Sequence, residues 1–334
     1  MQRDDVTIGM SVGEKNKDKA CATARALALA CSGRRRLVLE TDLPRRSLPA
    51  DFRAQLGEWD AVWLWDSECT AAVLDGWPAS LARPFEREIS YGGNRNHVLI
   101  LTAYTAGRYL VQFDPGTYPM EDPGDFVSRH QSALSCGKLI SGQYNGRVAL
   151  RDDFAVDCKK PEFYKVIRKY TGVDPRPGRQ VTAGASLARL VSSRPDIPFS
   201  GVMIWASDDH FLKTCYPQDV DVDQVAVVGR GEPGYPQSCD QYVTRLAHAV
   251  ILEQRRSGNQ DRAAVVAVVR DFFALMRDLV KPDRVGDVEG IDADTLPIGA
   301  IFSGYENYGR LVDQWPEVLA EGVHRLDGCE LRIQ

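Results

Sequence analysis

The first third of the chain holds four short apolar runs, each ended by a turn former or a polar residue, and this spacing limits the fold more than any other feature. Val6 to Val12 stops at Gly13, Leu37 to Asp42 at Leu43-Pro44, Trp59 to Trp65 at Asp66, and Leu110 to Phe113 at Asp114-Pro115-Gly116. Runs of this length between Gly, Pro and Asp read as β-strands. Helical stretches separate them. Ala20 to Ala30 is rich in Ala and Leu, which favour helix, and Ser32-Gly33 supplies a stop. Val98 to Tyr104 reads as a helix because it lies between the polar stretch Tyr91-Gly-Gly-Asn-Arg-Asn-His97 and the next strand. The alternation predicts an α/β fold with a mostly parallel sheet flanked by helices.

The middle of the chain is less regular. Tyr118 to Asp125 is rich in Pro, Gly and acids and reads as loop, and Asp125 to Leu134 as a short helix. Lys138 to Ser141 and Arg147 to Leu150 read as strands, as do Gly201 to Trp205 and Asp221 to Val228. Pro161 to Tyr170 has helical spacing, with Phe163, Val166, Ile167 and Tyr170 on one side. From about Asp240 the character changes to long helical patterns. Val265, Val268, Val269, Phe272, Phe273, Met276 and Val280 recur every three or four residues, the mark of a packed helical stripe. Tyr305 to Leu319 reads as a last helix. The expected organisation is a catalytic domain over residues 1–235 and a helical C-terminal appendage over 236–334, whose helices are candidates for a homo-oligomer contact.

Composition excludes several classes. With 334 residues, 44% hydrophobic and 26% charged, the chain has material for a sizeable core. A net charge of −5, from 41 basic and 46 acidic residues, lacks the basic excess of a nucleic-acid binder. The eight cysteines form no Cys-x-x-Cys pair and are too sparse for a secreted disulfide scaffold, so they read as buried thiols of a reducing compartment. No apolar run reaches the ~20 residues a membrane span needs, and no signal-peptide pattern opens the chain. A cytoplasmic location is the expectation.

The order of these features resembles family 2 glycosyltransferases, which have the GT-A fold. The matching positions are the strand and loop Ile8-Gly-Met-Ser-Val-Gly13, the strand Leu37 to Asp42, the pair in Asn94-Arg95-Asn96, and Phe113-Asp-Pro-Gly-Thr117 at the place of an Asp-x-Asp motif. Thr182-Ala-Gly-Ala-Ser186 matches the acceptor stretch and Ser207-Asp-Asp-His210 the acidic pair, so the resemblance covers about residues 5 to 230. It implies an inverting transfer of sugar from a nucleotide diphosphate to an acceptor hydroxyl. By this resemblance Ser11, Gly13, Asp42, Arg95, Asn96 and Asp114 bind the donor, Asp114 holds Mg²⁺ or Mn²⁺, and Asp209, with Asp208 as the alternative, is the general base. One position departs from the family. Gly116 replaces the second motif Asp, so Asp114 with phosphates and water would hold the ion, or Glu121 and Asp122, which also read as solvated loop acids, would substitute.

The chemistry asks for these residue types. Charge grows on a diphosphate as the glycosidic bond breaks, so a cation must meet it, and a forked guanidinium such as Arg95 suits phosphate. A carboxylate on the acceptor side can take the hydroxyl proton. The same residues also admit structural uses. Asp114 can serve a turn, Asp208 and Asp209 can cap a helix near His210, and Arg95 can pair with Glu86 or Glu88. Trp59, Trp63 and Trp65 read as core. Two other classes stay open. Gly13 to Lys19 with the following helix resembles the opening of partition-type P-loop ATPases, although Asp18 and Ala20 stand where that loop needs Gly and Ser/Thr. The third class is a non-catalytic protein that keeps a transferase-like fold.

Overall fold

Strand β1 (Val6–Val12) is covered by helix on both faces, as parallel strands usually are: Val6, Ile8, Met10 and Val12 line one face and Thr7, Gly9 and the half-buried Ser11 the other. Val6, Ile8, Met10 and Val12 pack with Ala20, Cys21, Ala24, Leu27 and Ala28 of helix α1 (Lys17–Ala30), together with Leu37 and Leu39 of β2 (Arg36–Thr41). On the opposite face Val38 and Leu110 meet Val98, Leu99, Ile100 and Leu101. The computed structural model describes residues 6–30, 35–77, 91–119, 128, 130–132, 136, 139–144, 160–171, 188–198, 220–230, 250–251, 253–255, 257–283, 294 and 298–333.

β1 pairs in parallel with β2, Ile8 opposite Leu37 through Val12 opposite Thr41. On its other side it pairs in parallel with β4 (Tyr109–Gln112), Val6 opposite Tyr109 through Gly9 opposite Gln112. β2 pairs in parallel with β3 (Ala61–Trp65). The other strands are β5 (Thr117–Pro119), β6 (Leu139–Tyr144), β7 (Ala188–Ser193), β8 (Val220–Arg230) and β9 (Arg332–Ile333). The sheet has nine strands in the order β5-β8-β6-β7-β4-β1-β2-β3-β9. β6 and β8 are parallel, whereas β9 on β3, β7 on β4, β6 on β7 and β5 on β8 are antiparallel. The α/β class and the flanking helices are as expected. The parallel arrangement is continuous through β3-β2-β1-β4 and gives way to a mixed sheet beyond β4.

The expected helix at Val98 to Tyr104 is longer than its composition suggests. Two short helices, α2 (Phe52–Gln55) and α3 (Ser67–Leu74), precede it, and α4 itself runs Tyr91–Tyr104. Gly92 and Gly93 lower its propensity, yet the apolar residues that follow hold it against β1 and β2, so the polar stretch 91–97 is helix. β5 was expected to be loop on account of its Pro and Gly neighbours. It is an edge strand, where a proline costs no ladder bond. Helix α5 (Pro161–Thr171) buries Phe163, Ile167 and Tyr170, with Val166 half-buried. Helix α6 (Arg262–Arg277) buries Val265, Val269, Phe272, Phe273 and Met276. The rings of Tyr170 and Phe272 meet edge to face at 5.7 Å, joining the two stripes.

The C-terminal helix α7 (Ile298–Arg325) is part of the main core. Its Tyr308, Leu311, Trp315 and Val318 share one cluster with the apolar residues of α4. Trp315 Nε1 donates to Pro195 O at 2.7 Å, and Tyr308 Oη donates to Pro198 O at 2.9 Å. β9 then closes the edge of the sheet beside β3. The buried face of this helix is therefore covered within the chain. Among the described residues no helix is long and apolar enough to cross a membrane. Arg147 to Leu150, Thr182 to Ser186, Gly201 to Trp205 and the residues Asp208, Asp209 and His210 lie outside the described residues.

Candidate functional site

The strand order places a topological switch between β1 and β4. From β1 the chain proceeds outward to β2 and β3, then returns to the other side of β1 as β4. α1, which leaves β1, covers one face of the sheet, and α4, which leads into β4, covers the other. The strand order reverses between β1 and β4, and the crevice outside the carboxyl ends of the strands at such a point is where open α/β sheets bind ligands. Gly13 follows β1, Asp42 follows β2 and Asp114 follows β4, so three residues expected to bind the donor share this edge. Ser11, half-buried near the end of β1, adjoins them.

Local chemistry fixes each position. Gly13 N–H donates to Asn16 Oδ1 at 2.7 Å, and Asn16 N–H donates to Gly13 O at 3.1 Å. A Cβ on Gly13 would lie 4.0 Å from Asp42 Oδ1, so the two connections approach each other closely. Asp42 is exposed and Asp114 half-buried. Thr117 N–H donates to Asp114 O at 2.9 Å, and the Thr117 hydroxyl donates to the same oxygen at 2.5 Å. With Pro115 second and Gly116 third at φ +83°, residues 114–117 form a type II turn, which needs a left-handed third residue. The missing second acid thus has a backbone cause: this turn disfavours any side chain at 116. The turn is tied to α1, because Gly116 N–H donates to Thr23 Oγ1 at 2.9 Å. A Cβ on residue 116 would lie 3.6 Å from Lys19 Cδ.

Arg95 and Asn96 were expected on a loop. Both lie in α4 and are buried, Arg95 at 9% exposure and Asn96 at 0%. Beside them is a group the sequence reading did not find. His97 Nδ1 is 3.7 Å from Glu40 Oε1, both residues fully buried, and the His97 ring stacks on Trp65 at 4.5 Å. Period-2 alternation along β2, whose Leu37 and Leu39 face α1, is the signal that could have placed Glu40 on the α4 side. Asp66, after β3, is occupied structurally. It accepts from Cys69 N–H at 2.8 Å as the N-cap of α3 and lies 3.6 Å from Arg45 Nε.

A divalent cation held by this site would need several oxygen ligands in near-octahedral geometry. Among the described residues no three His, Cys, Asp or Glu side chains are grouped to hold one, and the second motif position is a left-handed glycine against a lysine stem. Of the expected Mg²⁺ or Mn²⁺ ligands Asp114 alone lies among the described residues, and one carboxylate with substrate phosphates and water can hold such an ion. Glu121 and Asp122, the expected substitutes, lie outside the described residues, as do Asp208 and Asp209. The P-loop reading also finds poor support here. Gly13 N–H is engaged by Asn16, Lys17 pairs with Glu14 at 2.6 Å, and Asp18 is exposed in the first turn of α1, where it would repel phosphate.

No protein-family model and no curated protein matches the chain. Among solved structures, S. aureus TarS 1-349 is similar with a TM-score of 0.42 and 11% identity, covering 97% of this chain and 89% of that one. A mycobacterial protein gives a TM-score of 0.47 with 11% identity over 77% of this chain and 76% of its own. Glucosyl-3-phosphoglycerate synthase from Mycobacterium tuberculosis, in complex with Mn²⁺, UDP-glucose and phosphoglyceric acid, gives 0.44 with 11% identity over 77% and 80%.

Proposed function

We propose that this chain is an inverting glycosyltransferase of GT-A-like fold that moves a sugar from a nucleotide diphosphate to an acceptor hydroxyl. The observation that carries the reading is the switch point between β1 and β4, with Gly13, Asp42 and Asp114 on the one edge. A nucleotide needs an exposed acid for ribose or base hydrogen bonds and a glycine where its backbone must come close. Asp42 and Gly13, 4.0 Å apart by the Cβ measure, supply both. Ser11 adds a hydroxyl below them. Asp114 is assigned the hydroxyl groups of the donor, which a carboxylate can accept from without a metal. Arg95 and Asn96 are assigned to the donor side from the first turns of α4. In the transfer the acceptor oxygen attacks the anomeric carbon, its proton passes to Asp209 or, in the alternative, Asp208, and the bond to the diphosphate oxygen breaks in line. One displacement inverts the carbon. A base positioned this way contributes about 10²–10⁴-fold.

A thermal-shift screen of UDP- and GDP-sugars tests the binding half, since a ligand selective for the native state raises the melting temperature by mass action. At least one should do so, and Asp114→Ala should abolish that shift. Asp209→Asn should keep the shift while turnover drops by about 10²–10⁴-fold. Absence of any shift and any turnover across the screen would favour a non-catalytic protein with this fold.

A further inference from the structure

We propose that Cys69 and Cys329 form a site of oxidative modification, at which exchange with a small-molecule disulfide such as oxidised glutathione joins the two thiols. Both are free thiols, and the fold brings them together although most of the chain lies between them. Cys69 is buried in the first turn of α3, and its N–H donates to Asp66 Oδ1 at 2.8 Å. Cys329 stands just before β9, half-buried, where it packs against the apolar cluster that contains Cys69. The two thiols are hydrogen-bond partners. Their backbones are held on both sides. Leu64 N–H in β3 donates to Leu331 O at 2.8 Å, and Cys329 N–H donates to Leu326 O at 3.0 Å. Arg45 joins the two stretches, 3.2 Å from the carboxylate of Glu330 and 3.6 Å from that of Asp66.

Exposure sets the order of events. Cys329 reaches solvent and Cys69 does not, so an oxidant meets Cys329 first. Burial pushes both thiols up, and at Cys329 the bond to Cys69 and the charge of Arg45 oppose that rise. The Cys329 thiolate attacks one sulfur of the small disulfide, whose S–S bond breaks and releases one glutathione thiolate. The Cys69 thiolate then attacks the Cys329 sulfur and expels the second glutathione. The protons of the two protein thiols end on the two glutathiones, so the small disulfide gains two electrons and the protein pair loses two. Thiolate is scarce in a buried pair, which makes the exchange slow and leaves the pair reduced where free thiols abound. Once formed, the bridge closes a long loop and restricts the unfolded chain, which stabilises the native state. It also ties β9 to α3, where two residue pairs now hold it on β3.

Incubation of the folded full chain with oxidised glutathione in mildly alkaline buffer, followed by N-ethylmaleimide, trypsin and mass spectrometry, tests the proposal. The expected product is the tryptic peptide 326–332 joined to the peptide that holds Cys69, and dithiothreitol should abolish it. The urea midpoint of the oxidised chain should lie above that of the reduced chain. That difference should vanish in Cys329→Ser and in Cys69→Ala. The exposed Cys136 should carry glutathione and so reports that the oxidant has acted. Should either variant fail to fold, the joined peptide from the unaltered chain still decides. Three results overturn the proposal: Cys69 and Cys329 recovered as separate maleimide adducts beside a glutathione-bearing Cys136, a Cys329 that stops at the mixed disulfide, or a bridge that forms as readily in urea as in the folded chain.

Discussion

Gly116 shows how one backbone angle can decide what chemistry a motif supports. The dipeptide Asp114-Pro115 was legible as a strand end, and the missing second acid was legible as a departure. Its cause is written there too, since Pro then Gly at the two central positions is the signature of a type II turn; what could not be read is that the turn rests on α1 through Thr23. Restoring the motif by Gly116→Asp should therefore create no metal site. We expect it to destabilise the fold by about 1–2 kcal/mol from left-handed strain alone, measured by urea denaturation, with no added protection from Mn²⁺. Glu40 and His97 make the same point differently. Nothing in either neighbourhood of the sequence announces the pair, which exists only because α4 crosses β2.

At the scale of elements, the strands that carry the site could be read closely because each is a continuous apolar run with a breaker behind it. β1 matches its expected span, and β2, β3 and β4 are each shifted or trimmed slightly at their ends. The short edge strands β5 and β9 could not be read, since pairing to a neighbour defines them more than composition does. α4 was underestimated for a related reason: packing overrode its two glycines. α7, legible only as a last helix over Tyr305 to Leu319, joins the core, where Trp315 is 1% exposed and bonded to Pro195 O. Trp315→Ala should cost about 3–5 kcal/mol, read as a shift in the denaturation midpoint. A surface helix of an appendage would lose far less.

For the whole molecule, the two sheet faces and the C-terminal helix bury several thiols whose ionisation then bears on stability. Burial raises the Cys69 thiol above its ordinary value of 9.0, and Cys21 and Cys329 move the same way for the same cause. The unfolded chain thus gives up these protons first as the pH climbs past 9.0, and the native state loses stability there. Below that pH the contribution is intact. Urea midpoints measured across the alkaline range should fall, and Cys69→Ala should flatten the decline. Alkylation of native protein should label the exposed Cys136 well before Cys69.

The bond from Gly116 to Thr23 carries a mechanical consequence. A ligand tugging on the bend after β4 tugs on a whole helix seated in the core, so that bend has little freedom to flap over a bound sugar. Whatever adjusts to the incoming alcohol must come from elsewhere in the chain, and this half of the crevice acts as the anvil on which the donor is held still.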